Sequence, residues 1–182
     1  MGIEFEIKDS KIIEGVKIIT PSISTDRRGN IWTSFLKDEI DSLLPQNLSF
    51  KHDKFSESKY NVLRGIHGDH KSWKLVTAVF GEIIQVVVDC RKNSPTYMQY
   101  EKFTINKNNQ RLILIPPGLG NSYYANSENV VYHYKLAYEG EYIDADEQFT
   151  YSWDDANIAI DWGDIKPILS DRDMKLDEEG MR

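Results

Sequence analysis

One stretch of the sequence, NVLRGIHGDHKSWKLV (residues 61–76), concentrates side chains that carry charge or move protons. Imidazoles act as general acids and bases near neutral pH, and the cations of arginine and lysine bind anionic groups. Apolar residues alternate with these groups as in a β-strand, where side chains two positions apart share a face. The alternation predicts two faces, one with Leu63, Gly65, His67 and Asp69, and the other with Arg64, Ile66, Gly68 and His70.

Two kinds of site fit these residues. A metal site would use His67, Asp69 and His70, but the H-x-x-H spacing turns the two imidazoles to opposite faces of a regular strand. Alternatively, Arg64 and Lys74 lie in apolar strand sequences, and a cation on an inward face is costly unless it meets an anion. A barrel mouth with an arginine, a lysine and a histidine would suit an anionic ligand that has an acidic C–H bond.

The elements that must position these groups are mostly short strands, rich in Val, Ile, Tyr and Phe and separated by turn sequences such as NSP, NN and PPG. This spacing predicts an all-β sandwich or barrel with a few short helices, one near 37–45 and one in the C-terminal segment 170–182. No linker is visible, so residues 1–182 form one predicted domain with a tail from about residue 165. The predicted strands are 17–23, 30–36, 62–67, 74–89, 100–105, 111–117, 121–126 and 130–138.

Composition narrows the function classes. The formal charge is −7 and the pI about 5.1, which argues against a nucleic-acid partner because such proteins need a basic face. No apolar run is long enough for a membrane span, and no secretory signal is visible at the N-terminus. Cys90 is the one cysteine, so no intrachain disulfide forms, which fits the reducing cytoplasm as the predicted location.

A family resemblance spans roughly residues 15–175. The motifs VLRGIH, KLVTAVFGEIIQVVVDCRKNSPTY, NNQRLILIPPG, YKLAY, WDDANIAIDW and PILSDRD occur in the order found in the dTDP-4-dehydrorhamnose 3,5-epimerase family. The upstream TDRRGNIWTSF resembles a strand turn of that family. The resemblance implies a cupin-type jelly roll that epimerises nucleotide-linked 4-keto sugars without a cofactor or metal. The chemistry is sound on physical grounds, because a ketone at C4 acidifies the C–H bonds at C3 and C5 through an enolate.

The resemblance also implies catalytic roles for residues that match the family motifs. His67 in RGIH would be the general base, and Asp171 in LSDRD the carboxylate that fixes its tautomer. Tyr134 in HYK would return a proton to the opposite face of the sugar, and Lys74 in WKLV would lie near the sugar carbonyl. Without the family, Tyr134 and Tyr132 would be interpreted as core or surface aromatics.

A second set of residues is predicted to bind the nucleotide sugar. The resemblance implies that Arg28 serves the neighbouring subunit of a homodimer, because an N-terminal strand crosses between subunits in the family. The full predicted set is Arg28, Arg64, Asn121, Gln85, Lys54, Ser56 and Tyr138.

The sequence departs from the family pattern around the predicted site. Asn121 stands where the family has a histidine, and Gln85 where it has an aspartate, so any tuning of the base must differ. These changes predict a substrate other than the dTDP-4-keto-rhamnose precursor, such as a GDP-linked 4-keto-heptose of a capsule or lipopolysaccharide pathway. Alternatives are a C3-only or C5-only epimerase, a 3,4-ketoisomerase, or a non-catalytic sugar-binding jelly roll.

Overall fold

Two antiparallel sheets face each other in the computed structural model of the chain, which describes residues 2–175. The first sheet has, in spatial order, Phe5–Asp9 (β1), Lys17–Pro21 (β2), Leu112–Ile115 (β10), Trp73–Phe80 (β7), Asn129–Ala137 (β12) and His52–Lys59 (β5). The second has Phe149–Thr150 (β13), Leu63–Gly68 (β6), Leu119–Ala125 (β11), Ile83–Asp89 (β8) and Tyr100–Ile105 (β9). The predicted all-β sandwich is confirmed.

Smaller elements lie outside these sheets. A separate hairpin pairs Ile23–Asp26 (β3) with Gly29–Trp32 (β4). Among residues 2–175, short helices span Lys37–Asp41 (α1) and Asp171–Met174 (α2), and a 3-10 turn spans Ala145–Glu147. The rest of the predicted helix 170–182, from residue 176, lies outside the described residues. No helix among residues 2–175 has the length and hydropathy of a transmembrane segment.

The core lies between the sheets, where alternate side chains of the strands meet. Val76 and Ile113 of the first sheet pack with Val87 and Phe103 of the second in one buried cluster. Burial of this apolar surface is the main favourable term for such a sandwich. Because side chains alternate along each strand, the outer faces of the sheets also carry apolar residues that must be buried. Chain segments 35–50 and 151–162 pack over the outer faces of the first and second sheets respectively.

The predicted strands match the structure closely where apolar residues are dense, and less well elsewhere. The single predicted strand 74–89 is two strands in different sheets, because the chain turns at Gly81 with a φ of +82°. A Cβ there would lie 2.3 Å from the carbonyl oxygen of Asn129, so glycine is required sterically. Four of the strands, β1, β3, β5 and β13, were not predicted. Of these, β5 has the sequence HDKFSESK, whose inward side chains are mostly polar.

Asp89 organises the turn that follows β8, within the motif DCRKNSPTY. Its carboxylate accepts hydrogen bonds from the backbone N–H and side chain of Arg91 and from the hydroxyls of Ser94 and Thr96. Burial alone would raise the pKa of Asp89, but these donors outweigh it and lower the pKa to about 2. This motif therefore stabilises the fold at a distance from the residues predicted to do chemistry.

The Asp89 network makes the stability of the fold depend on pH in a defined window. Because the folded pKa lies below the usual value of 3.8, the contribution is complete above about pH 4 and is lost as the pH falls towards 2. We expect Asp89→Asn to lower the free energy of unfolding by about 2 kcal/mol at pH 7. Urea denaturation of both proteins between pH 7 and pH 2.5 should show the difference shrinking below pH 4. Asp9→Asn is the control, since Asp9 is exposed and pairs with Lys17 at the surface, and should have little effect.

Candidate active site

A cavity of about 480 Å³ opens at one end of the sandwich, between the two sheets. Polar side chains replace the apolar core at this end of the inner faces. Along β12, for example, Val130 is followed on the same face by Tyr132 and Tyr134. The first sheet contributes β5, β7 and β12, and the second contributes β6 and β11. Segments 142–148 and 168–173 complete the lining.

His67 and Asp173 form the central polar pair of this cavity. His67 Nε2 lies 2.6 Å from Asp173 Oδ1, and the carboxylate is almost completely buried. The other oxygen, Oδ2, accepts a longer hydrogen bond from the backbone N–H of Gly65. A carboxylate in this position fixes the imidazole ring and its tautomer, which leaves Nδ1 as the second ring nitrogen for chemistry.

The predicted pairing of His67 with Asp171 is wrong, because Asp171 is exposed and does not line the cavity. Ser170 caps helix α2 and accepts a hydrogen bond from the backbone N–H of Asp173, so residues 171–174 are helical. Residues two positions apart in a helix point in nearly opposite directions. The sequence S-x-x-D, with a capping serine three residues before an acidic residue, is the signal that would have favoured Asp173.

Arg64 and His67 both line the cavity, although regular alternation predicts opposite faces for them. The register between β6 and β11 shifts between the pairs Asn121–His67 and Tyr123–Arg64. Gly65 lies at this irregularity with a φ of +111°, which is accessible chiefly to glycine. Arg64 remains exposed at the rim and donates to the Ser58 hydroxyl and the Glu57 carbonyl.

Tyr134 lines the cavity from the first sheet, on the wall that faces His67 of the second. Burial raises the pKa of Tyr134, and the nearby ammonium of Lys54 partly opposes that rise. Lys54 Nζ lies 5.9 Å from the centre of the Tyr134 ring and donates to the hydroxyl of Tyr142 at 2.9 Å. The phenol therefore stays protonated at neutral pH, as a proton donor must.

Lys74 is a buried cation at the cavity wall. Burial lowers the pKa of Lys74, and the carboxylate of Asp69, 3.9 Å from Nζ, acts against that change. Residues 69–72 cross directly from β6 in the second sheet to β7 in the first. This short connection brings His67 and Lys74 to the same end of the sandwich.

Asn121 belongs to a network of neutral hydrogen bonds. The side-chain amide of Gln85 donates to Asn121 Oδ1 at 2.6 Å, and the Tyr132 hydroxyl donates to Gln85 Oε1 at 2.9 Å. Asn121 Nδ2 in turn donates to the Tyr132 hydroxyl at 3.2 Å. Asn121 lines the cavity, but Gln85 is fully buried behind it. The predicted substrate contact of Gln85 is therefore corrected to a role in orienting Asn121.

The remaining predicted binding residues divide into three positions. Ser56 lines the cavity and shares a 2.7 Å hydrogen bond with the Tyr123 hydroxyl. Tyr138 follows β12 beside the cavity rather than in its lining, with its hydroxyl 3.1 Å from His52 Nδ1. Arg28 is exposed in the β3–β4 hairpin, outside the cavity of its own chain, and pairs with Asp26.

His70 does not join His67. It is exposed and its ring lies 5.2 Å from that of Phe149. Within residues 2–175 no group of three or more His, Cys, Asp or Glu side chains is arranged to hold a metal ion.

Comparison with known proteins agrees with this geometry. The sequence model of the family described as dTDP-4-dehydrorhamnose 3,5-epimerase matches residues 10–178. The chain belongs to this family. It is 33% identical over 153 residues to the dTDP-4-dehydrorhamnose 3,5-epimerase of Salmonella typhimurium, covering 82% of each protein.

Two solved structures extend the comparison to three dimensions. A dTDP-6-deoxy-D-glucose-3,5-epimerase from Legionella pneumophila, in complex with dTDP-4-keto-L-rhamnose, has a TM-score of 0.84 at 32% identity, over 94% of this chain and 91% of that one. ChmJ, a 3'-monoepimerase from Streptomyces bikiniensis in complex with dTDP-quinovose, has a TM-score of 0.80 at 26% identity, over 90% and 83% respectively. The expected cupin-type jelly roll and the isomerase class are thereby confirmed.

The two aspartates of helix α2 give a direct test of the site. We expect Asp173→Asn to lower the epimerisation rate by roughly 10²-fold or more, because the amide no longer holds the imidazole in one tautomer. Asp171→Asn makes the same change on the exposed side of the same helix and should leave the rate unchanged. Both variants are assayed by NMR with a nucleotide-linked 4-keto sugar. Equal losses in the two variants would contradict the assignment of Asp173.

Proposed function

We propose that the chain epimerises a nucleotide-linked 4-keto sugar at C3 and C5 through an enolate. His67 Nδ1 removes the proton from carbon, and the electron pair moves onto the C4 oxygen. Tyr134 then donates its proton to the opposite face of the same carbon, which inverts the centre and returns the ketone. The second centre reacts in the same way after His67 has released the abstracted proton to solvent and Tyr134 has taken a proton from solvent.

The observation that carries this proposal is the placement of a carboxylate-backed imidazole and a protonated phenol on facing walls of one cavity. A base and an acid on opposite sides of a sugar ring can invert a carbon, whereas two groups on one side return the proton to the face it left. Lys74 places a positive charge on the wall that also carries Tyr134. A buried cation there stabilises the negative charge that develops on the enolate oxygen.

The nucleotide and the sugar are proposed from the solved relatives and from the cations at the cavity. The solved relatives hold dTDP-linked sugars, and the cations Arg64 and Lys54 lie at this cavity to meet a diphosphate. Asn121, Ser56 and Tyr138 remain the proposed sugar and nucleotide contacts. The GDP-linked 4-keto-heptose suggested by the departures at Asn121 and Gln85 stays a prediction. A binding screen with GDP, dTDP, UDP and CDP decides between the nucleotides.

A second candidate is epimerisation at one centre only. The similarity to ChmJ, a 3'-monoepimerase, shows that this fold accommodates that outcome. The pair of His67 and Tyr134 across the cavity supports either epimerase over a 3,4-ketoisomerase, because inversion of one carbon needs a base on one of its faces and an acid on the other. It also argues against a sugar-binding protein without catalysis, which would not need a buried carboxylate behind the histidine.

Deuterium incorporation tests the reaction and counts the centres. In deuterated water we expect a dTDP-linked 4-keto-6-deoxyhexose to gain one deuteron at C3 and one at C5, because each inversion takes its new proton from solvent. A single deuteron would show monoepimerisation. The measurement is proton NMR of the sugar during turnover.

His67→Asn and Tyr134→Phe are the variants for this assay. Loss of the base should lower exchange at both carbons by roughly 10³-fold, whereas loss of the acid should lower inversion by about 10²-fold or more. Exchange that continued at the wild-type rate in His67→Asn would refute the assignment of the base.

We further propose that the functional unit is a homodimer in which Arg28 completes the site of the neighbouring subunit. The β3–β4 hairpin pairs with neither sheet, and it exposes both Arg28 and the apolar side chain of Ile31, which is 74% exposed. An exposed apolar residue beside a cation on a projecting hairpin suits insertion into a second copy.

Mixed dimers test whether Arg28 completes the site of its own subunit or that of the neighbouring subunit. Arg28→Ala and His67→Asn subunits are each expected to have low activity alone. Together they form a heterodimer in which one site has the intact His67 of one subunit and the intact Arg28 of the other, so activity returns. If Arg28 serves its own subunit, no site is intact and mixing restores nothing. Light scattering confirms the dimer in each sample.

The cellular setting is also a proposal. A reaction on nucleotide sugars, with a buried cysteine and no disulfide, fits the cytoplasm. A 4-keto sugar must come from a dehydratase acting on a nucleotide sugar, and its epimer must be reduced before transfer into a surface polysaccharide. Capsule or lipopolysaccharide synthesis is the setting that we propose for this chemistry.

A further inference from the structure

Asp69 is a buried carboxylate that the proposed mechanism does not use. It lines the cavity and is 4% exposed. Its Oδ1 accepts the backbone N–H groups of Lys71 and Ser72, at 2.8 and 2.6 Å, and its own carbonyl accepts from Gly118. The carboxylate is therefore held rigidly within the crossing between the sheets.

The other oxygen of Asp69 points towards Lys74. Oδ2 lies 3.9 Å from Lys74 Nζ and accepts no hydrogen bond from the residues that the structure describes. A buried carboxylate oxygen without a donor is costly, and so is a buried ammonium without a counter-charge. The attraction between the two charges offsets the free-energy cost of burying each of them. Because 3.9 Å is too long for a hydrogen bond, the N–H bonds of Lys74 remain available to a ligand.

We propose that Asp69 is a positioning residue that keeps Lys74 in its ammonium form and aimed at the C4 oxygen of the sugar. This inference rests on the proposed function, because it assigns Asp69 a part in stabilising the enolate. In the reaction His67 takes the proton from carbon and the negative charge moves to the C4 oxygen. Lys74 donates a hydrogen bond to that oxygen throughout, and Asp69 neither gains nor loses a proton.

Several groups around Lys74 act on its charge. Burial favours the neutral amine, and Arg172 of helix α2 acts in the same direction because it brings a like charge. Asp69 opposes both, and the thiol of Cys90, which lies at the end of β8, adds little because its own pKa is raised to about 12. His67 and Asp173 also face this cavity, and their hydrogen bond makes a compact pair. Asp69 is thus the carboxylate that sustains the ammonium.

Asp69→Asn tests the inference, because the amide oxygen can still accept the two backbone hydrogen bonds while the charge is lost. The first measurement needs no substrate. NMR of the protein with ¹³C-labelled lysine follows the titration of Lys74, whose signal is assigned by its absence in Lys74→Arg. We expect the pKa of Lys74 to fall by about one unit or more in Asp69→Asn. An unchanged pKa overturns the inference.

Asp53→Asn is the matched control, since Asp53 pairs with Lys135 and His133 and does not line the cavity. It should leave the titration of Lys74 unchanged. A fall in both variants would show a general charge effect and would also overturn the specific role of Asp69.

The second measurement is the epimerisation rate as a function of pH with a dTDP-linked 4-keto-6-deoxyhexose. We expect Asp69→Asn to lose activity at lower pH than the wild type on the alkaline side, and to approach the wild type at acidic pH. In the Lys74→Arg background the guanidinium stays charged, so adding Asp69→Asn should no longer shift the profile. A uniform loss at every pH would indicate a structural role only.

Lys74→Met covers the case in which Asp69→Asn does not fold. Without its counter-charge the buried carboxylate of Asp69 is costly, so adding Asp69→Asn to Lys74→Met should raise the free energy of unfolding measured with urea. A double variant no more stable than Lys74→Met would overturn the pairing. Failure of the wild type to exchange any deuterium would refute the proposed function, whereas the lysine titration tests the pairing independently.

Discussion

The hydrogen bond between His67 and Asp173 is the interaction on which the rest of the site depends. It joins strand β6 to a helix about a hundred residues later in the chain, at a separation of 106 positions. Because Asp173 is 2% exposed, its charge would be costly without the imidazole and the Gly65 N–H. The pair therefore holds the C-terminal segment against the cavity as well as orienting the imidazole.

Backbone hydrogen bonds also hold the C-terminal segment in place before helix α2 begins. The backbone of Ile168 exchanges hydrogen bonds with that of Asn61 and Leu63. These contacts bring residues 168–173 alongside β6, so that Ser170 can cap the helix and Asp173 can point inward. The polar tail of the sequence thus forms a wall of the site, and its position is set by backbone pairing rather than by apolar burial.

The inner faces of the two sheets change from apolar to polar along the strands. On β7 the inward side chains run from Ala78 and Val76 in the core to Lys74 in the cavity. The strands that pack the core therefore also hold the reactive groups, and close packing restricts how far those groups can move. A site on these strands is more precise than one on free loops.

The departures from the family pattern replace charged groups with neutral ones. Where the resemblance implies a histidine and an aspartate, Asn121 and Gln85 form a hydrogen-bond network with Tyr132. Neutral partners need no counter-charge inside the protein, so this wall offers hydrogen bonds to the cavity without adding a second titrating pair. The charged chemistry is concentrated on His67 with Asp173 and on Lys74 with Asp69.

Local patterns in the sequence determined the fold class and the positions of most strands, and they drew attention to His67 and Lys74, whereas Tyr134 was selected only through the family resemblance. Alternation and turn residues act over a few positions, so both can be recognised from the sequence alone. Alternation wrongly predicted opposite faces for Arg64 and His67, because the register between β6 and β11 shifts at Gly65. That shift depends on strand pairing and not on the local sequence. The choice of Asp173 over Asp171, and the burial of Gln85 behind Asn121, were likewise decided by tertiary structure. Each depends on which side chain a distant strand or helix turns inward, and that is fixed only when the two sheets and the C-terminal segment pack together.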